Sequence, residues 1–146
     1  MKLDKFQVDA LKALLKNPAS VSYWSCDDGH TLVCLHGYVA AKIFDDDLQL
    51  KLIDAQMSLN LRTAWDVELD RPGVLLPTDE YRRGGTAQKF LYGGDATKPV
   101  YIDTKYLAYF QPDQLVQPAY NPKGLVYVIE NQNPVGIIAP VNIKEE

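Results

Sequence analysis

The sequence predicts an α+β fold built from two similar units. Each unit is predicted to be one helix followed by a three-stranded antiparallel meander, at residues 3–53 and again at 99–143. The prediction rests on helical periodicity in two stretches and on short apolar runs separated by Asn, Pro and Gly turns. Since neither unit can bury both its helix and one face of its sheet alone, we expect them to form a single domain spanning residues 1–146.

The N-terminal unit begins with the clearest helix, predicted at residues 4–16. Asn17 and Pro18 end it, because proline disfavours a helical residue before it. Strands are predicted at 21–26, 31–35 and 38–44, with turns at 27–30 and at His36-Gly37, and a further strand at 48–53. The apolar residues of the helix form a stripe at helical spacing: Leu3, Phe6, Ala10, Leu11, Leu14 and Leu15.

The C-terminal unit repeats this plan. A short helix is predicted at 103–110, with Asp103 as its N-cap and Tyr106, Leu107 and Phe110 on one face. Strands are predicted at 115–120, 125–130 and 135–140, separated by turns at 121–124 and 131–134. Aromatic residues are concentrated in this unit. Core packing is their first explanation, and an exposed aromatic groove for a peptide is the second.

The middle of the chain, residues 54–98, is irregular. Alternating apolar residues at 58–69 predict one or two strands, and 74–76 is a short apolar run. Residues 79–98 carry two pairs of glycines, Gly84-Gly85 and Gly93-Gly94, which predict a long loop or a loose hairpin. We expect residues 82–95 to be the most mobile stretch, because paired glycines maximise backbone freedom.

Composition excludes several functional classes. The formal net charge of −4 argues against an electrostatic grip on nucleic acid by the whole protein, although a local basic face remains compatible with it. Two cysteines do not make a disulfide framework, and the chain starts with an amphipathic helix, so we expect a cytoplasmic protein with reduced thiols. No nucleophile–base set is recognisable, which favours a non-enzymatic protein without a cofactor.

Two polar clusters carry alternative chemistry. Five aspartates, at 27, 28 and 45–47, are expected at one end of the first sheet, where Asp28, Asp45 and Asp47 are candidate ligands of a hard cation. A small metal-dependent hydrolase is therefore the alternative function; a solvated acidic end of the sheet is the simpler explanation. Arg82 and Arg83, followed by Gly-Gly-Thr, are candidate phosphate contacts or the polar tip of a loop. The spacing of Cys26, His30, Cys34 and His36 does not suit zinc.

Three segments resemble one domain of the bacterial DNA polymerase processivity clamp, the sliding clamp. Residues 101–107 (Tyr-Ile-Asp-Thr-Lys-Tyr-Leu) look like the entry to the last clamp helix. Residues 126–129 and 137–143 look like the closing strands and the apolar-Pro-apolar tail. A clamp subunit strings three such domains together, whereas this chain has room for one, and the Gly-rich middle matches nothing in a clamp.

The resemblance implies a non-enzymatic binding module that engages a protein partner or nucleic acid and self-associates. Clamps bind short partner peptides near this tail, which makes Tyr127, Val141 and Ile143 the partner-binding candidates. Clamp helices face DNA, so the basic helix residues join Arg82 and Arg83 as nucleic-acid candidates: Lys5, Lys12, Lys16 and Lys105. A clamp ring contains six such domains, so we expect weak or no duplex binding from this chain at physiological salt.

Overall fold

The structure, a computed structural model, describes residues 1–52, 55–69 and 71–143. It confirms an α+β fold of helices and mainly antiparallel strands. The chain divides into two compact units, an N-terminal unit of Lys2–Val67 and a C-terminal unit of Glu68–Glu146 together with Met1. Within the described ranges, no helix is long and apolar enough to cross a membrane.

The N-terminal unit contains a helix followed by a three-stranded antiparallel meander. A short fourth strand pairs parallel to the first, giving the order β4-β1-β2-β3. The connection between β2 and β3 includes Tyr38, so it is one residue longer than the sequence predicts. The elements are α1 (Leu3–Lys16), β1 (Val21–Ser25), β2 (His30–Leu35), β3 (Val39–Phe44), β4 (Gln56–Met57) and α2 (Leu59–Trp65), with single 3-10 turns at Pro18–Ser20 and Asp45–Asp47.

The buried face of α1 is narrower than the predicted stripe. Phe6, Ala10 and Leu14 are buried, whereas Leu15 is 78% exposed and Leu11 is also exposed. Gln7 is buried beside them and holds the chain after β3: its side-chain oxygen accepts from the amides of residues 49 and 50 at 2.8 and 3.2 Å. Because these amides bond to a side chain, residues 48–52 form no strand, and the prediction of one at 48–53 is wrong there; residue 53 lies outside the described residues.

Residues 58–69 contain a helix, not the predicted strands. The side chain of Ser58 accepts from the amide of Leu61 at 3.3 Å and so caps the N-terminus of α2. Leu61 is buried while Leu59 is largely exposed, although the two would share one face of a strand. The alternation of apolar residues predicted strands, but Leu61 and Trp65 are four residues apart and therefore also fit one face of a helix.

The C-terminal unit is antiparallel throughout, with the order β10-β9-β8-β5-β6-β7. The helix predicted at 103–110 is only one turn long in the structure. Asp103 caps it, as predicted, and its side chain accepts from the amide of Lys105 at 2.9 Å. The strands are β5 (Gly73–Arg82), β6 (Ala87–Tyr92), β7 (Pro99–Asp103), β8 (Gln114–Gln117), β9 (Val126–Glu130) and β10 (Asn133–Ile138), with α3 (Thr104–Leu107) between β7 and β8.

The Gly-rich segment is a packed part of this sheet. β6 pairs with β5 on one side and β7 on the other, and its residues Ala87 and Phe90 are buried. The paired glycines occupy the two turns that follow β5 and β6. In the turn after β5, Arg83, Gly84 and Gly85 adopt positive φ in succession. Of the two alternatives predicted for 79–98, the long loop is wrong and a hairpin forms, packed rather than loose: the glycines serve tight turns between paired strands.

Candidate partner-binding pocket

The chain after β10 runs beside β7, the last strand in the order of the C-terminal unit. The amide of Val141 donates to the carbonyl of Tyr101 at 2.8 Å, which makes a single antiparallel bridge. Because one strand edge holds this tail, the residues on either side of the bridge have defined positions. Val141 and Ile143, both predicted to contact a partner, line a cavity at this point.

This cavity, the tyrosine pocket, has a volume of about 290 Å³. Tyr101 is buried in its wall, whereas Tyr120 and Ile143 remain half-exposed. The volume lies just below the range of roughly 300–1,000 Å³ that is typical of small-molecule sites, so the space suits single side chains better than a large cofactor. The lining consists of prolines, tyrosines, tail residues and one lysine: Pro99, Tyr101, Tyr120, Pro122, Lys123, Val141, Asn142 and Ile143.

A second tyrosine supports Tyr120 from behind. The rings of Tyr92 and Tyr120 meet edge to face with their centroids 5.5 Å apart, and the Lys98 ammonium lies 5.7 Å from both. Tyr92 itself fits only because residue 73 is glycine: a Cβ on Gly73 would lie 2.0 Å from its ring. Three residues that are distant in sequence thus fix the position of one pocket wall.

The turn at 121–124 contributes two residues to the pocket, Pro122 and Lys123. The side-chain amide of Gln117, which is buried, donates to the carbonyls of Asn121 and Gly124 at 2.8 and 3.1 Å. Within the turn, the Asn121 side chain accepts from the amide of Lys123 at 3.0 Å. These bonds fix the turn that carries Pro122 and Lys123, two residues that line the pocket.

The rim of the pocket is basic. Lys123 lines it, Lys98 lies over Tyr120, and the Arg83 guanidinium donates to the carbonyl of Asn142 at 3.1 Å. No acidic residue lines the pocket within the described part of the chain. An apolar ligand carrying a negative charge would therefore match both the walls and the rim.

Tyr127 does not belong to this surface. It lies in the middle of β9, is only 3% exposed, and its burial raises the pKa of its hydroxyl group. β9 pairs with β10 and β8, and its first three residues are all buried. The prediction that Tyr127 contacts a partner is therefore wrong, because this tyrosine is part of the core.

The predicted phosphate loop is a closed turn. The hydroxyl of Thr86 donates to the carbonyl of Arg83 at 2.9 Å, and the amides of Gly85 and Thr86 also donate within the turn. The hydroxyl of Thr86 and the amides of Gly85 and Thr86 are thus already used within the turn and are not free to bind a phosphate. Arg82 is exposed at the end of β5, while Arg83 contacts the tail.

The remaining basic candidates are divided between the two units. Lys5, Lys12 and Lys16 lie exposed on α1, in the N-terminal unit. Lys105 is exposed on α3 in the C-terminal unit, with its ammonium 4.9 Å from the ring of Tyr106. Neither unit by itself presents all four lysines as one basic face.

The acidic residues do not assemble as cation ligands. Asp45 accepts from the hydroxyl of Thr31 at 2.8 Å, and a carboxylate oxygen of Asp28 lies 2.9 Å from Nδ1 of His30, which holds the pKa of Asp28 below its usual value. Asp47 is exposed in the 3-10 turn after β3. Across residues 1–52, 55–69 and 71–143, no group of three or more His, Cys, Asp or Glu is arranged to hold a metal ion.

Comparison with known proteins adds no relative: no protein-family model, curated protein or solved structure matches this chain. The likeness to sliding clamps thus stays a prediction from the sequence.

Proposed function

We propose that this protein is a non-enzymatic binding module that engages a short, extended segment of a protein partner at the tyrosine pocket. The observation that supports this proposal is the preorganised wall formed by Tyr92 and Tyr120 beside the C-terminal tail. Fixed aromatic side chains contribute large contact areas at a low cost in conformational entropy, which is why they dominate binding hot spots.

The proposed ligand has one apolar or aromatic side chain next to an acidic residue. The apolar side chain would enter between Tyr120 and Ile143, and the acidic residue would pair with Lys98 or Lys123. A segment of a protein partner is favoured over a free metabolite because the pocket, at about 290 Å³, suits a single side chain.

This proposal agrees with what the resemblance to sliding clamps implies, since clamps bind partner peptides near the same tail. Nucleic acid is the weaker candidate, because the chain carries a net charge of −4 and the predicted basic residues are divided between two units. The metal-dependent hydrolase has no support from the arrangement of the described aspartates.

The test is selection followed by measured binding. A random peptide library is panned against the full chain, and the enriched peptides are titrated by calorimetry. We expect them to share an apolar or aromatic residue beside Asp or Glu. Tyr120→Ala should weaken their binding about tenfold or more, which corresponds to about 1.4 kcal/mol. Lys123→Glu should weaken binding and remove the preference for an acidic residue.

The matched control is Tyr38→Ala, which removes an exposed tyrosine from the N-terminal unit. This variant should bind the selected peptides as the parent protein does. Because Tyr120 packs against Tyr92, melting temperatures are compared first, and Ile143→Asp gives a second, independent disruption of the pocket. Enriched peptides that bind Tyr120→Ala and Ile143→Asp at parental affinity would overturn the proposal.

A further inference from the structure

The two tryptophans of this chain line one cavity in the N-terminal unit. Trp24 lies in β1 and Trp65 is the last residue of α2, which packs against β1 and β2. The cavity has a volume of about 380 Å³, within the roughly 300–1,000 Å³ range of small-molecule sites.

Each tryptophan ring already attracts a cation of the protein. The Arg62 guanidinium carbon lies 5.5 Å from the ring centroid of Trp24, and the Lys42 ammonium lies 5.9 Å from that of Trp65. Trp24 and Lys42 are both cross-strand partners of Leu32 in β2, so strand register places them in one row. Tryptophan is the strongest aromatic partner for a cation, and these contacts show that both rings are accessible to one.

Carboxylates supply the complementary charge. Asp27 and Asp66 line the cavity, and Asp28 adjoins Asp27 in the same turn. The only ion pair shown for Asp66 among the described residues joins it to Arg62 at 3.5 Å, with both side chains more than half exposed. Such exposed pairs contribute little, so Asp66 can exchange its partner at low cost.

Cys26 lines this cavity, and nearby charged residues affect the pKa of its thiol. Burial raises the pKa of Cys26, and the neighbouring Asp28 and Asp66 raise it further, against the opposing effect of Lys42. The thiol is therefore neutral and is a poor nucleophile. The carboxylates of Asp27 and Asp66 share this cavity with the Arg62 guanidinium, and the Lys42 ammonium lies on the ring of Trp65, so a cationic ligand would compete with cations of the protein for the carboxylates and the rings.

We propose that the tryptophan cavity binds an organic cation that carries an alkylammonium group. The cation would lie against Trp24 and Trp65 and pair with Asp66, taking the place that Arg62 now holds. Aromatic walls with carboxylates at the mouth are the arrangement by which proteins recognise ammonium ligands.

The test uses the intrinsic fluorescence of the protein, since all its tryptophan emission arises from this cavity. The full chain is titrated with tetramethylammonium chloride and with butylammonium chloride, against sodium chloride at equal ionic strength. We expect a saturable change in emission with both ammonium salts and none with sodium. Asp66→Asn should weaken binding about tenfold. Asp46→Asn, which neutralises an exposed aspartate outside the cavity, should leave it unchanged.

Arg62→Gln provides a readout that a purely structural role would not give. Removing the competing guanidinium should strengthen ammonium binding about threefold to tenfold, because the ligand no longer displaces a cation from Trp24. A lysine-containing tetrapeptide tests whether the ammonium group belongs to a protein partner or to a free amine. Binding tighter than that of butylammonium indicates a lysine side chain of a protein partner. Equal binding indicates a free amine. Identical responses to sodium and ammonium salts, or unchanged binding by Asp66→Asn, would overturn the proposal.

Discussion

Gly73 leaves room for the aromatic ring that supports the tyrosine pocket. Its backbone does not have the positive φ that strains other residues, so alanine is conformationally acceptable there. The new Cβ would instead lie 2.0 Å from the ring of Tyr92. We expect Gly73→Ala to lower the free energy of unfolding by about 1–3 kcal/mol, the usual cost of overpacking, in urea denaturation. Displacement of Tyr92 should also weaken peptide binding.

A double-mutant cycle separates this clash from any general effect of alanine. In a Tyr92→Ala background the ring is absent, so Gly73→Ala should cost little or should stabilise by up to about 1 kcal/mol through reduced freedom of the unfolded chain. The same destabilisation in both backgrounds would mean that Tyr92 is not the obstacle.

The pocket residues differ in how far the sequence reveals them. Val141 and Ile143 belong to a tail pattern that is visible in the sequence, and the structure places both in the pocket wall. Tyr127 is a candidate only through the resemblance to clamps, which does not show that the first three residues of β9 are all buried. The contact between Gly73 and Tyr92 depends on strand register across the hairpin of β5 and β6, and no local signal encodes that register.

Among the elements, α1 allows the clearest test of the core. Leu14 is 7% exposed and its neighbour Leu15 is 78% exposed, although both belong to the predicted apolar stripe. Leu14→Ala should cost about 2–5 kcal/mol, because it removes buried methyl groups and leaves a cavity. Leu15→Ala is the matched control and should stay within about 0.5 kcal/mol. Equal losses in urea denaturation would show that the buried face of α1 is assigned incorrectly.

Element prediction succeeded where the turn chemistry was unambiguous. The helix-plus-meander order appears in both units, since Asn, Pro and Gly clusters separate apolar runs too short for helices. The prediction of strands failed at α2, because the four-residue spacing of Leu61 and Trp65 fits both the alternation of a strand and one face of a helix. At β6 the long-loop alternative failed, because the paired glycines form tight turns between paired strands. There the pairing of strands distant in sequence outweighs local composition.

At the scale of the whole molecule, the distribution of charge on α1 bears on the prediction of a DNA clamp. The net charge is −4, and Asp4 and Asp9 share α1 with Lys5, Lys12 and Lys16. Contacts between exposed lysines and phosphates weaken steeply as salt is added, so a chain that does not encircle DNA holds it only at low salt. We therefore expect weak or no duplex binding at physiological salt.

Light scattering and a low-salt DNA titration test this expectation together. The variant carries Lys5→Glu, Lys12→Glu and Lys16→Glu, and its control carries Lys51→Glu, a lysine beyond α1 in the same unit. A sliding clamp made of one-domain chains needs six copies to surround a duplex, so assembly and DNA binding must appear together. A hexamer whose DNA binding disappears in the α1 variant but not in the control would show a clamp. A peptide-binding module at the tyrosine pocket predicts a different outcome. The protein should then be a monomer or dimer that does not bind duplex DNA, and the selected peptides should bind the α1 variant and the control equally.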